Sequence, residues 1–250
     1  MMNIPADCIR LFPKYEAVFY DELEMHQRYF LPVCSVNLRF LMPEKDEWHH
    51  FISVKEIYDG CVGEMTTDWH TRYTKPDTFG FDVIDGKYRF DADWRYFTVD
   101  TIITPEDYGK TYDEHEIEYN MNDSMYALKK QYYEQYGALY DGDFNCPGLQ
   151  VDDIRRLERL RLLRPEDLHK DAITEYALEL RSRLIGGVLT DLLDQNPDKD
   201  DVEPPLKDNG AAFDYIGCMP GYDFQLHGAD QISLFYDGEG KKAVVTLSYT

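Results

Sequence analysis

Ten residues near the C-terminus, Gly221 to Asp230, read GYDFQLHGAD. They place Tyr222, Asp223, His227 and Asp230 within one short stretch that contains two glycines, Gly221 and Gly228. An imidazole beside carboxylates can pass protons, so His227 with Asp223 or Asp230 is a candidate acid–base pair. The same groups can instead serve recognition, with Tyr222, Phe224 and His227 as anchors and the two aspartates as polar contacts. A third reading is a plain polar connection between strands. Catalysis needs further parts, and no oxyanion device, metal set or second nucleophile adjoins the stretch. Tyr222, Asp223, His227 and Asp230 are therefore assigned to partner binding, and no catalytic residue is assigned.

Other chemistry-bearing patterns are incomplete. There is no GxGxxG, no GxxxxGK[ST] and no GxSxG, so neither a phosphate cradle nor a nucleophile elbow is expected. His49 and His50 are adjacent, and on a strand adjacent side chains point to opposite faces, which prevents a shared metal. Asp141, Asp143 and Asn145, with Asp152 in the twelfth position, follow the spacing of a calcium loop. However, Cys146 stands where the sharp turn needs glycine, Pro147 follows it, and Asp152 is short for bidentate ligation. No cofactor and no metal is expected. Arg155, Arg156, Arg159, Arg161 and Arg164 form a locally basic run that abundant carboxylates can pair.

Asp and Glu number 48 against 26 Lys and Arg, giving a formal net charge of −22 over 250 residues. Such a field repels nucleic acid and anionic membranes and attracts a basic protein. Solubility alone is also a sufficient use of that charge. The chain has 20 Tyr and 13 Phe, far from the aromatic-poor composition of a disordered acidic segment. Its five cysteines, at 8, 34, 61, 146 and 218, form no CxxC and read as free thiols in a reducing compartment. No apolar run reaches the roughly 18 residues of a membrane helix, and the N-terminus shows no secretory leader. A cytoplasmic protein is expected.

These groups need a frame. Val33 to Leu41 is rich in β-branched and apolar residues and predicts a strand. Phe79, Phe81 and Val83 alternate with less apolar positions, Asp85-Gly86 supplies a two-residue turn, and Tyr88 and Phe90 resume the alternation. A hairpin joining 81–84 to 87–93 is predicted, with a third strand through Tyr96, Thr98 and Asp100. Helices are predicted over Asp123 to Tyr136, along Ile154, Leu157, Leu160 and Leu163, and along Leu168, Ala172, Tyr176, Leu180 and Leu184. Strands return at 213–218, 231–236 and 243–249, with DGEGK (237–241) turning between the last two. The expected fold class is α+β, with antiparallel sheet or sheets from N- and C-terminal strands around a central helical region. Residues 1–250 are read as a single domain, with 198–205 (DKDDVEPP) as the alternative boundary of a small β lobe, 206–250.

The closing stretch, GADQISLFYDGEGKKAVVTLSYT from Gly228 to Thr250, resembles the closing strands of YwqG-like bacterial proteins. It departs from them by carrying His227-Gly228-Ala229-Asp230 where a Trp-Gly-Asp signature is expected. The resemblance implies a bacterial, cytosolic α+β protein. In class, an acidic protein of this kind also resembles the immunity proteins of bacterial toxin systems. The functional expectation is an acidic binding protein that inhibits or regulates a basic protein partner, in its sharpest form an immunity protein. The alternative is a small-molecule, hydrolase-like enzyme built on a His–carboxylate pair.

Overall fold

The computed structural model describes residues 4–40, 42–55, 61–98, single residues between 119 and 139, 203–225 and 228–249. The fold is α+β with strands dominating, and the described residues form two antiparallel sheets. Strands β1 (Ile9–Leu11), β2 (Phe30–Asn37) and β3 (Trp48–Val54) form the first, in that order. Two short helices, α1 (Tyr15–Val18) and α2 (Leu23–Tyr29), lie between β1 and β2. The second sheet contains β4 (Thr78–Ile84), β5 (Lys87–Phe90), β6 (Asp214–Met219), β7 (Gln231–Asp237) and β8 (Lys242–Ser248). Its order is β5-β4-β8-β7-β6, so the last strand of the chain pairs with β4 and the C-terminal strands extend the N-terminal hairpin.

The β4–β5 hairpin forms where the alternation places it. Asp85 and Gly86 both take positive φ, 51° and 76°, the combination a two-residue hairpin turn requires. Phe79, Phe81, Tyr88 and Phe90 point inward and are buried. The strand ends at Phe90, short of the predicted Asp93, and the expected third strand through Tyr96 is replaced by a 3-10 turn at Trp94–Tyr96. The reason is local: the Asp93 side chain accepts from the Arg95 amide, which closes a turn, and Tyr96 is drawn inward to donate its hydroxyl to the carbonyls of Val62 and Lys75. Strand β2 begins three residues earlier than predicted and turns into a 3-10 segment at Leu38–Phe40. All eight of its residues are buried, so neither face carries the polar alternation that would mark its limits.

One core joins the two sheets. Phe30 packs its ring against Phe79, Phe81, Phe90 and Phe97, and Tyr29 stacks on Phe97 with centroids 4.3 Å apart. Helical residues between 119 and 134 dock on this body. Lys55 there meets Asp123 at 2.6 Å, and the Tyr126 hydroxyl donates to the Pro32 carbonyl. The helices predicted along 154–163 and 168–184, the calcium-like segment 141–152 and the boundary at 198–202 lie outside the described residues. Cys8, Cys34 and Cys61 are free thiols, and Cys8, Cys34 and Cys218 are buried. Among the described residues, no helix is long and apolar enough to cross a membrane, and no group of three His, Cys, Asp or Glu side chains could hold a metal ion.

Candidate functional site

The loop from 221 onward connects β6 to β7, as expected of a segment held by strands at both ends. Its neck is two glycines in backbone contact. The Gly221 amide donates to the Ala229 carbonyl at 2.8 Å, and a Cβ on Gly228 would fall 2.1 Å from the Gly221 carbonyl carbon. The first arm then folds into a turn, with the amides of Phe224 and Gln225 donating to the Gly221 carbonyl.

Burial divides this arm. Tyr222 is 50% exposed, whereas Phe224 is fully buried and sits edge-on against Phe12 with centroids 5.3 Å apart. Phe224 is therefore a core residue and not a recognition anchor; an aromatic flanked by polar residues looks the same in sequence whether it points in or out. Gln225 is buried and donates Nε2 to the Val54 carbonyl at 3.1 Å. Lys129, from the helical segment, donates Nζ to the Tyr222 carbonyl at 2.7 Å. Asp223 is half-buried and Asp230 exposed. Tyr222, Asp223 and Asp230 flank the glycine neck, while His227, with the acid–base pair proposed for it, lies outside the described residues.

A second feature was not legible in the sequence. A cleft of about 750 Å³ opens between the start of β3 and the two hairpin turns of the larger sheet. Arg10, Ser35 and His50 form one row across its wall, because Arg10 pairs with Ser35 and Ser35 with His50 in register. Directly paired residues project from the same face of a sheet. The Arg10 guanidinium lies 3.8 Å over the ring of Trp48, two residues from His50 on that face. Asp85, Gly86 and Lys87 close one side, and Tyr236 and Lys241 the other.

Proton positions in this row follow from its partners. His50 Nε2 faces the Gly86 carbonyl at 3.1 Å, and a carbonyl only accepts, so Nε2 carries the proton. Nδ1 is then the acceptor, and the Ser35 hydroxyl donates to it at 2.7 Å. Burial lowers the His50 pKa to about 4, with the charge of Arg10 pushing the same way. The pair has the outline of a nucleophile and its base, but its parts do not suit that work. Ser35 is almost fully buried, the imidazole is backed by a carbonyl and not a carboxylate, and its basicity is low. The bond from His50 Nε2 to the Gly86 carbonyl fastens the first sheet to the β4–β5 turn. His49 turns to the opposite face, edge-on to Tyr236 at 4.5 Å, and burial lowers its pKa to about 3. Among the described residues, neither of its ring nitrogens has a hydrogen-bond partner.

Comparison of the chain with protein-family models, with curated proteins and with solved structures finds no match in any of the three.

Proposed function

We propose that this chain is an acidic, cytosolic binding protein that occupies and inhibits a basic protein partner, in the manner of an immunity protein against a toxin. The observation that carries the reading is the mounting of Tyr222. Half of this side chain is exposed, while its neighbours Phe224 and Gln225 are buried and its own carbonyl is held by Lys129. An exposed aromatic on a clamped backbone loses little freedom on binding, which is the property of an interface anchor. Asp223 and Asp230 stand on the same loop, and the net charge of −22 favours a basic partner over nucleic acid or an anionic membrane.

The mechanism is occlusion. Long-range attraction aligns the encounter, Tyr222 enters a cleft on the partner, and the aspartates of the loop face its basic groups. The test is capture of a basic protein on the immobilised chain, followed by interferometry with the captured protein, using wild type and Tyr222→Ala. A loss of tenfold or more in affinity, with an unchanged melting temperature, is expected. Equal affinity of the two proteins would remove Tyr222 from the interface.

A further inference from the structure

Three buried histidines join the first sheet and the helix preceding it to the five-stranded sheet. His26, on α2, donates from Nδ1 to the Glu22 carbonyl at 3.1 Å and accepts at Nε2 from the Phe90 amide of β5 at 3.3 Å. His50, on β3, accepts from Ser35 and donates to Gly86 in the β4–β5 turn. His49, also on β3, packs its ring on Tyr236 of β7. The rings are 0%, 3% and 2% exposed for His26, His50 and His49.

Each site suits the neutral ring. A proton on His26 Nε2 would face the Phe90 N–H, donor against donor, and no rotation of a backbone amide relieves it. A proton on His50 Nδ1 would displace the Ser35 hydroxyl hydrogen. A charged His49 would be buried without a hydrogen-bond acceptor among the described residues. The surrounding charges differ by site. Asp21 and Glu22 lie near His26 and favour its charged form, but burial outweighs them; its other neighbours are the rings of Phe19, Phe30 and Trp94. Lys45, Lys241 and His50 oppose a charge on His49, whose partner Tyr236 lies near Glu47 and Asp237. Arg10 opposes one on His50, and the remaining ring beside it is Tyr88.

We propose that His26, His49 and His50 form an acid-release seam, so that proton uptake parts the first sheet and α2 from the five-stranded sheet while the pairing within the latter persists. All three rings are shifted below their ordinary range in the closed state, so the open state binds more protons below about pH 6.5. The closed state is fully favoured above that pH. It loses about tenfold in population per pH unit for each histidine as pH falls toward the closed-state values, and up to about a thousandfold for three. The strands of the five-stranded sheet contain no histidine, and Asp82, which despite partial burial is held below the ordinary carboxylate range by its bonds to Lys242 and Arg89, titrates below this window.

The test is hydrogen exchange of the full chain between pH 7 and 5, above its isoelectric point of about 4.6, read as protection factors so that intrinsic exchange rates cancel. The Phe90 amide reports the His26 contact, and the His50 amide, which donates to the Tyr88 hydroxyl at 3.1 Å, reports β3. Both are expected to lose at least a hundredfold in protection, while Leu234 and Val245, paired between β7 and β8, keep theirs. In His50→Gln the loss should shrink by about tenfold per pH unit. Unchanged protection of Phe90 and His50, or parallel loss at Leu234 and Val245, would overturn the seam. So would a His50→Gln protein with the wild-type pH dependence. The wild-type comparison stands by itself if that variant does not fold.

Discussion

Ser35 Oγ lies 2.7 Å from His50 Nδ1, across paired positions of β2 and β3, and both residues are almost fully buried. Replacing Ser35 by Ala leaves a buried imidazole nitrogen without its donor, which costs about 1–3 kcal/mol. Part of that loss should return when His50→Phe is added, because the unpaired ring nitrogen goes with it, and the Gly86 carbonyl that His50 also serves lies at an exposed turn where water can replace the donor. Urea unfolding of the two single variants and the double variant measures this. Simple additivity would mean that the two side chains do not act as a pair.

The two glycines of the 221–230 loop have no room for a side chain, whereas Gly86 needs only its backbone freedom. Gly228→Ala meets the Gly221 backbone and should cost several kcal/mol, or prevent folding. Gly86→Ala has nothing within 4 Å and carries only the strain of its φ of +76°, about 1–2 kcal/mol. Thermal unfolding of the two variants gives the order, and equal losses would contradict the packed neck.

Phe224 and Tyr222 are two residues apart and should behave oppositely. Phe224→Ala removes a fully buried ring and should cost about 3–5 kcal/mol. Tyr222→Ala, at a half-exposed position, should cost clearly less than Phe224→Ala. A large loss at Tyr222 in denaturant titration would show that its ring is structural.

The half-exposed thiol of Cys61 should react slowly. Its hydrogen bond to Asp77 is the main cause that raises its pKa to about 11, with burial adding to it. Relative to an ordinary thiol, the thiolate at pH 8 falls on the order of a hundredfold. Dithionitrobenzoate labelling of a protein carrying Cys61 as its only thiol should accelerate in Asp77→Asn, and an equal rate would remove the carboxylate from this role.

Local alternation placed the β4–β5 hairpin because its inward residues, Phe79, Phe81, Tyr88 and Phe90, differ in kind from their neighbours. The same signal fails for β2, where polar Ser35 and Asn37 are as buried as Val33 and Val36. The row Arg10–Ser35–His50 could not be read from sequence, since it exists only through the register of three strands, with Ser35 25 residues from Arg10 and 15 from His50. The adjacent His49-His50 pair was visible, but what each ring touches depends on Gly86 and Tyr236, far away in the chain. Phe224 misled for a related reason: its neighbours are polar, yet its ring packs edge-on against Phe12 in the core.

Recognition of a basic partner through a clamped loop and a strong negative field is the central claim, and association kinetics test it most directly. The on-rate for a captured basic partner should fall steeply as salt rises, because screening shortens the reach of the −22 field to about 8 Å at 0.15 M. The dissociation rate should change little with salt and should rise in Tyr222→Ala. An on-rate independent of salt, together with a dissociation rate unaffected by Tyr222→Ala, would contradict the account.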